Sequence, residues 1–167
     1  MKRSQGNYAF IDGQNLNLSV QAMGWHIDWR RFRVYLSEKY GIDKAYYFIG
    51  YVPGNNDLYN SLQSYGYSLI FKPISMGKGG KTKGNCDAEL VLQAMIDFAE
   101  YQKAVLVTSD GDFACLVTYL KKMGKLECVL ASRWGGCSHL LKSAAGNQIT
   151  FMDNLRRKLE YQKKRTP

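Results

Sequence analysis

Four aspartates hold the chemistry that this chain could perform: Asp12, Asp87, Asp110 and Asp112. Most of its 14 acidic residues stand on helix faces or in turns, where contact with water explains them. These four are placed differently. Asp12 ends the apolar run Tyr8-Ala9-Phe10-Ile11. Asp110 and Asp112 follow the run Ala104-Val105-Leu106-Val107-Thr108, in Ser109-Asp110-Gly111-Asp112. Asp87 opens a helical stretch behind a glycine- and lysine-rich segment. Aspartate has a short side chain with few rotamers, so it sets oxygen at a defined distance from the backbone. Mg²⁺ takes oxygen ligands in near-octahedral geometry, and three or four carboxylates can hold one or two such ions. Ions held this way activate water and stabilise a leaving oxygen in phosphoryl transfer. They also invert the repulsion that bare carboxylates would exert on a phosphate. An ordinary role competes with this one. Asp12-Gly13 and Asp110-Gly111 are good turn and capping dipeptides, and Asp87 and Asp112 stand in or near first helical turns, which the macrodipole favours. Four aspartates on one edge beside a basic loop favour the site over the caps.

The elements around them alternate between short apolar runs and amphipathic stretches, the pattern of a central, mainly parallel sheet flanked by crossover helices. Strands are expected at Tyr8–Ile11, Ala45–Ile49, Ser68–Phe71, Ala104–Thr108, Cys128–Leu130 and Ile149–Phe151. Helices are expected from Asn15 to Met23, through Trp29, Phe32, Leu36 and Tyr40, and through Leu58 and Leu62 up to Gly66. Further helices are expected over Cys86–Tyr101, through Phe113, Leu116 and Leu120, over Ser138–Ala145, and as a basic terminal helix from Met152. Ser75 to Gly84 reads as a loop. Ligands of such sheets bind beyond the carboxyl ends of the strands. Asp12 and Asp110 must both lie on that edge, Asp112 stays near it, and Asp87 joins them if the Ser75–Gly84 loop returns there.

The 167 residues suit one domain, expected over residues 1–155, with residues 156–167 a basic helix end or tail. The net charge of +9 suits a polyanionic partner. The charge is concentrated in Lys72, Lys78, Lys81 and Lys83 and in Arg156, Arg157, Lys158, Lys163, Lys164 and Arg165. Lys78, Lys81, Lys83, Arg156, Arg157, Lys163 and Lys164 are the candidate contacts to nucleic-acid phosphates. No apolar run is long enough to span a membrane, and the polar start lacks the apolar stretch of a secretory signal; a cytoplasmic location is expected. The 4 cysteines show no C-x-x-C spacing and there are only 2 histidines, which argues against zinc. The cysteines read as reduced thiols, with Cys86, Cys115 and Cys128 expected in the interior. Ser75 to Thr82 nearly mimics a phosphate-binding P-loop, but Ser75 replaces its first glycine and Lys83-Gly84 delays the helix. A haloacid-type phosphatase would need a second carboxylate soon after Asp12, where Gly13-Gln14 stand. His139 has no acidic partner near it in sequence and suits a helix surface.

Phe10-Ile11-Asp12-Gly13-Gln14-Asn15-Leu16 resembles the opening motif of the NYN domains, the LabA-like branch of the PIN-like ribonuclease superfamily. Lys83 to Leu92 resembles that family's central motif, with Cys86 where an aliphatic residue is usual. Val107 to Phe113 resembles its third motif. The order and spacing match from about Tyr8 to Leu155. The resemblance implies a three-layer, Rossmann-like PIN fold and cleavage of single-stranded or structured RNA with Mg²⁺ or Mn²⁺. It assigns Asp12, Asp87, Asp110 and Asp112 to the metal. It gives Asn15 the orienting of a metal-bound water or carboxylate, and Ser109 the support of the third motif. Gly146 departs from it, standing after Ala144-Ala145 where relatives often carry an aspartate. An RNA-binding or regulatory module with little turnover is the alternative that the same motifs allow.

Overall fold

The computed structural model describes residues 5–73, 75–76, 82–83 and 85–163, with only the backbone of Ser75, Met76, Thr82 and Lys83. The strands are β1 (Asn7–Asp12), β2 (Ile42–Tyr51), β3 (Tyr67–Pro73), β4 (Ser75–Met76), β5 (Thr82–Lys83), β6 (Ala104–Val107), β7 (Leu126–Ala131) and β8 (Ile149–Phe151). The helices are α1 (Gly13–Ala22), α2 (Trp29–Tyr40), α3 (Asn56–Ser64), α4 (Asp87–Ile96), α5 (Ala114–Lys122), α6 (His139–Ala145) and α7 (Arg156–Leu159).

Six strands form one sheet in the order β3-β2-β1-β6-β7-β8, and every pairing in it is parallel. Its central strands are buried on both faces, which is why they read as continuous apolar runs. Alternate residues feed two cores. Ala9, Ile11, Val105, Val107 and Tyr47 pack with Leu16, Val20, Phe32 and Leu36 on one face. Phe10, Leu106, Tyr46 and Phe48 pack with Leu90, Ala94, Leu116 and Leu120 on the other. The result is a three-layer α/β fold. Chain order reverses at β1, between β2 and β6, so the switch point of the sheet is the end of β1, at Asp12.

Four expectations need correction. The helix through Cys86 stops at Ile96 instead of reaching Tyr101. Tyr101 is completely buried, and its hydroxyl donates to the Ala94 carbonyl at 2.9 Å. The Lys125 ammonium gathers the carbonyls of Phe98 and Tyr101. Tertiary bonds thus replace the helical ones although the apolar spacing continues. The basic terminal helix is a 3-10 turn (Met152–Leu155) followed by the single turn α7. Beyond it Glu160 bridges Ile27 in antiparallel fashion and Tyr161 N–H donates to the His26 carbonyl. Docking through Leu159, which is 1% exposed, ends that helix early. Ser75 to Gly84 is no simple loop, because β4 and β5 pair antiparallel, Ser75 with Lys83 and Met76 with Thr82. Finally, Cys137 is buried with Cys86 and Cys128, and Cys115 is the exposed cysteine, on the outer side of α5. Among the described residues no disulfide forms, and no helix is long and apolar enough to cross a membrane.

Candidate active site

Asp12 is the last residue of β1 and the N-cap of α1. Its carboxylate accepts from the Asn15 N–H at 3.4 Å and from the Thr108 hydroxyl at 3.3 Å. It is 8% exposed, and burial, with added repulsion from Asp87 and Asp110, pushes its carboxyl up to about 6. The helix leaves this strand at once because Gly13 has no side chain. A Cβ there would lie 2.3 Å from the Tyr47 ring and 2.9 Å from the Phe48 carbonyl oxygen.

The turn after β6 is held from three directions, by two side chains and one backbone bond. Asn15 Oδ1 accepts from the Ser109 N–H at 3.1 Å. The Ser109 hydroxyl pairs with that of Ser132 at 2.9 Å and accepts from the Ser132 N–H at 2.8 Å. The Ser109 carbonyl accepts from Ser138 N–H at the start of α6. Asp110 then caps the 3-10 turn Gly111–Phe113, accepting from the Asp112 N–H at 2.9 Å. Gly111 is needed for packing, since a Cβ there would lie 2.3 Å from the Ser138 hydroxyl oxygen.

Asp87 arrives from the β4–β5 hairpin. Its side chain caps nothing. Asn85 accepts from the Asp87 N–H at 2.7 Å and donates to its carboxylate at 3.0 Å. Partial burial and the charges of Asp110 and Asp112 raise its carboxyl. The chain thus brings one carboxylate oxygen each of Asp87, Asp110 and Asp112 within 4.8 Å of one another. Among the described residues this is the one such grouping, and Asp12 is not part of it; it stands in its electrostatic range. The caps are therefore Asp12 and Asp110, while Asp87 and Asp112 serve no helix end with their side chains.

Several partners were not singled out from sequence. Thr108 and Asn85 lie inside the quoted motifs, but only the contacts reveal what they do. Ser132, 2% exposed, lies just past β7 on a neighbouring strand, and its polar type after an apolar run was the available signal. Lys72 donates to the Asn85 carbonyl at 2.7 Å and lies 3.5 Å from Glu89. The second Glu89 oxygen is buried with no hydrogen-bond partner among the described residues. Gly146 caps the far end of α6, just before β8 begins, so an aspartate there would not reach the carboxylates at the opposite edge. His139 is exposed, as expected.

Of the basic candidates, Arg156 is tied to Glu160 at 2.9 Å, while Arg157 and Lys163 are exposed. Lys83 is described by its backbone alone, and Lys78, Lys81, Lys164 and Arg165 lie outside the described residues, as does most of the P-loop-like stretch.

Residues 8–153 match the NYN domain. The chain belongs to the NYN domain family. NYN domains are generally nucleases of the PIN-like superfamily, and the acidic cluster fits that chemistry. This NYN chain is 27% identical over 154 residues to the low amplitude and bright protein LabA of Synechococcus elongatus, covering 86% of the chain and 82% of LabA. A crystal structure of a protein of unknown function from Vibrio parahaemolyticus superposes with a TM-score of 0.79. It covers 96% of this chain and 100% of its own at 19% identity, a likeness of fold.

Proposed function

We propose that this NYN domain is a metal-dependent ribonuclease that hydrolyses phosphodiester bonds of single-stranded or structured RNA. The observation that carries the reading is the approach of Asp87, Asp110 and Asp112 to within 4.8 Å. Like charges this close repel, and a divalent cation relieves the repulsion. Oxygens around an octahedral ion at ~2.1 Å stand ~3 to ~4.2 Å apart, so a small closing movement makes this set fit Mg²⁺ or Mn²⁺. Asp87, Asp110 and Asp112 would hold the ion, with Asp12 behind them adding negative charge. A bound divalent cation supplies an activated water and neutralises developing charge on the phosphate.

The remaining work falls to the chain. Asn15 and Ser109 fix the turn that aims Asp110 and Asp112, and Asn15 also donates through its N–H to Asp12. Asn85 holds Asp87. Lys78, Lys81, Lys83, Arg156, Arg157, Lys163 and Lys164 would contact phosphates without reading bases. We assign the catalytic unit to residues 1–155 and phosphate binding to the basic extension from Arg156.

Purified protein is to be incubated with single-stranded and structured RNA, with Mg²⁺, with Mn²⁺ and with chelator. Cleavage is expected with either metal and not with chelator, and Asp110→Asn should cut at least ~100-fold more slowly, the scale for a lost preorganised charge. Cleavage in excess chelator would overturn the metal mechanism. Equal rates for wild type and Asp110→Asn would indicate a contaminant. RNA bound in the presence of metal but left uncut would make this a binding or regulatory module.

A further inference from the structure

On the other side of Asp12 from the carboxylate cluster, a cavity of about 360 Å³ opens. It lies over the ends of β1 and β2, and Gly13, the residue after Asp12, forms part of its wall. Gly13 follows Asp12 directly, so the wall of the cavity begins beside the switch point. Its volume falls at the small end of ligand sites. No Asp, Glu, Lys or Arg lines it among the described residues.

Its walls are aromatic at Trp29 and Tyr47, aliphatic at Leu18, Ile49, Val52 and Leu58, and otherwise glycine or amide-bearing. Trp29 and Tyr47 meet edge to face at 5.0 Å. Tyr47 is 2% exposed, yet its hydroxyl has no hydrogen-bond partner among the described residues. The hydroxyl end of that ring lies beside the cavity wall at Gly13, where a Cβ would stand 2.5 Å from Cζ. The hydroxyl is not wholly cut off from solvent, so it can exchange water for a ligand that enters the cavity. Burial and the Asp12 charge raise its pKa, so it keeps its proton and can donate. Gln14, Asn17 and Asn55 line the same space, and none of their side chains makes a hydrogen bond among the described residues. Asn55 stands at the N-cap of α3 without capping it.

Among the described residues no cationic side chain lines the cavity to pair with a phosphate. Apolar walls with uncommitted donors and acceptors suit a neutral heterocycle such as an unpaired RNA base. We propose that this cavity receives one unpaired nucleobase of the RNA strand whose phosphate lies at the carboxylates. The proposal rests on the ribonuclease reading and deepens it. A base locked in a duplex cannot enter, so the scissile region must be single-stranded or looped.

The test is fluorescence anisotropy with a labelled eight-nucleotide RNA and a set in which one abasic unit is moved along the strand. Ca²⁺ replaces Mg²⁺, and the integrity of the RNA is checked after each titration. Loss of the base at one position is expected to weaken binding ~10-fold, the scale of one stacked base, and losses elsewhere much less. Tyr47→Phe, which keeps the ring, and Asn17→Ala should each weaken binding of the intact strand several-fold and shrink the abasic penalty. Thermal melts confirm that both variants fold. If RNA binds and every abasic strand binds as well as the intact one, the cavity belongs to a peptide or another ligand, and the nucleobase proposal falls while the ribonuclease reading stands. An abasic penalty unchanged by both substitutions overturns the proposal as well. Absence of binding to any of the strands overturns it together with the reading beneath it.

Discussion

The carboxamide of Asn15 accepts the Ser109 N–H at 3.1 Å, and this bond ties the start of α1 to the turn that carries Asp110 and Asp112. The two partners stand 94 positions apart in the chain. One bond therefore sets the spacing between Asp12, which precedes α1, and the carboxylates that follow β6. Asn15→Ala leaves the N–H of buried Ser109 unpaired, which costs about 1–2 kcal/mol. Metal-dependent cleavage should fall about 10- to 100-fold, as for other residues that orient ligands. Melting and single-turnover rates check both. An unchanged rate in a folded variant removes Asn15 from the machinery.

Asp87 and Asp112 make no cap, so their loss should not carry a capping penalty. In chelator, Asp87→Ala and Asp112→Ala should melt at or above the temperature of wild type, because each relieves repulsion within the cluster. Asp110→Ala should lose about 1 kcal/mol, since its carboxylate holds the Asp112 N–H. Adding Mn²⁺ should raise the melting temperature of wild type and move the three variants much less. Equal metal shifts in all four proteins would place the ion elsewhere.

Asp12 gives the metal-free protein a pH dependence of definite sign. Its carboxyl ionises near 6 in the fold, against 3.8 when unperturbed, because it is buried beside Asp87 and Asp110. Between those values the folded state keeps a proton that the unfolded state has released. Stability in chelator should therefore fall as the pH rises from about 4 to about 6, by on the order of 3 kcal/mol, and this contribution is constant above that window. Asp12→Asn should remove the fall and be the more stable protein at pH 7.5. Urea titrations across that range decide it; a fall of the same size in Asp12→Asn would assign it to another group.

The basic segment divides between packing and binding. Leu159 belongs to the core, and Leu159→Ala should cost about 2–5 kcal/mol. Arg157→Ala with Lys163→Ala should leave melting unchanged and reduce the slope of log affinity against log salt for single-stranded RNA by about 0.7 for each lost contact. A truncation that tests the tail must keep Tyr161, whose N–H is bonded to the His26 carbonyl. A salt slope that does not move would leave these cations as ordinary surface charge.

Apolar runs located the strands of the main sheet, and did so best where a strand is buried on both faces and admits few polar residues. Ala104 to Val107 is the plainest case, with all four residues fully buried. The same reasoning overran α4, since Phe98 and Tyr101 continue the apolar spacing after the backbone has turned away to meet Lys125. At the site, the positions of Asp12, Asp110 and Asp112 follow from strand ends. That Asp87 joins them depends on a hairpin whose pairing is not visible in its glycines and lysines. Nor do residue types show which aspartates cap helices. Asp12 and Asp110 do, and only the distances to Asn15 N–H and Asp112 N–H distinguish them from Asp87 and Asp112.

The order of the strands also governs what a ribosome exposes while making this protein. β1 can pair with β2 early, but its other edge waits for β6, and Asp12 waits for Thr108, 96 positions later. At roughly 5–20 residues per second that interval lasts on the order of 5–20 seconds. Through it, the Tyr8 to Ile11 edge is an open template for other nascent strands. Asp110 and Asp112 are not yet made during that interval, so the half-made chain carries Asp87 without its partners and has no assembled carboxylate cluster.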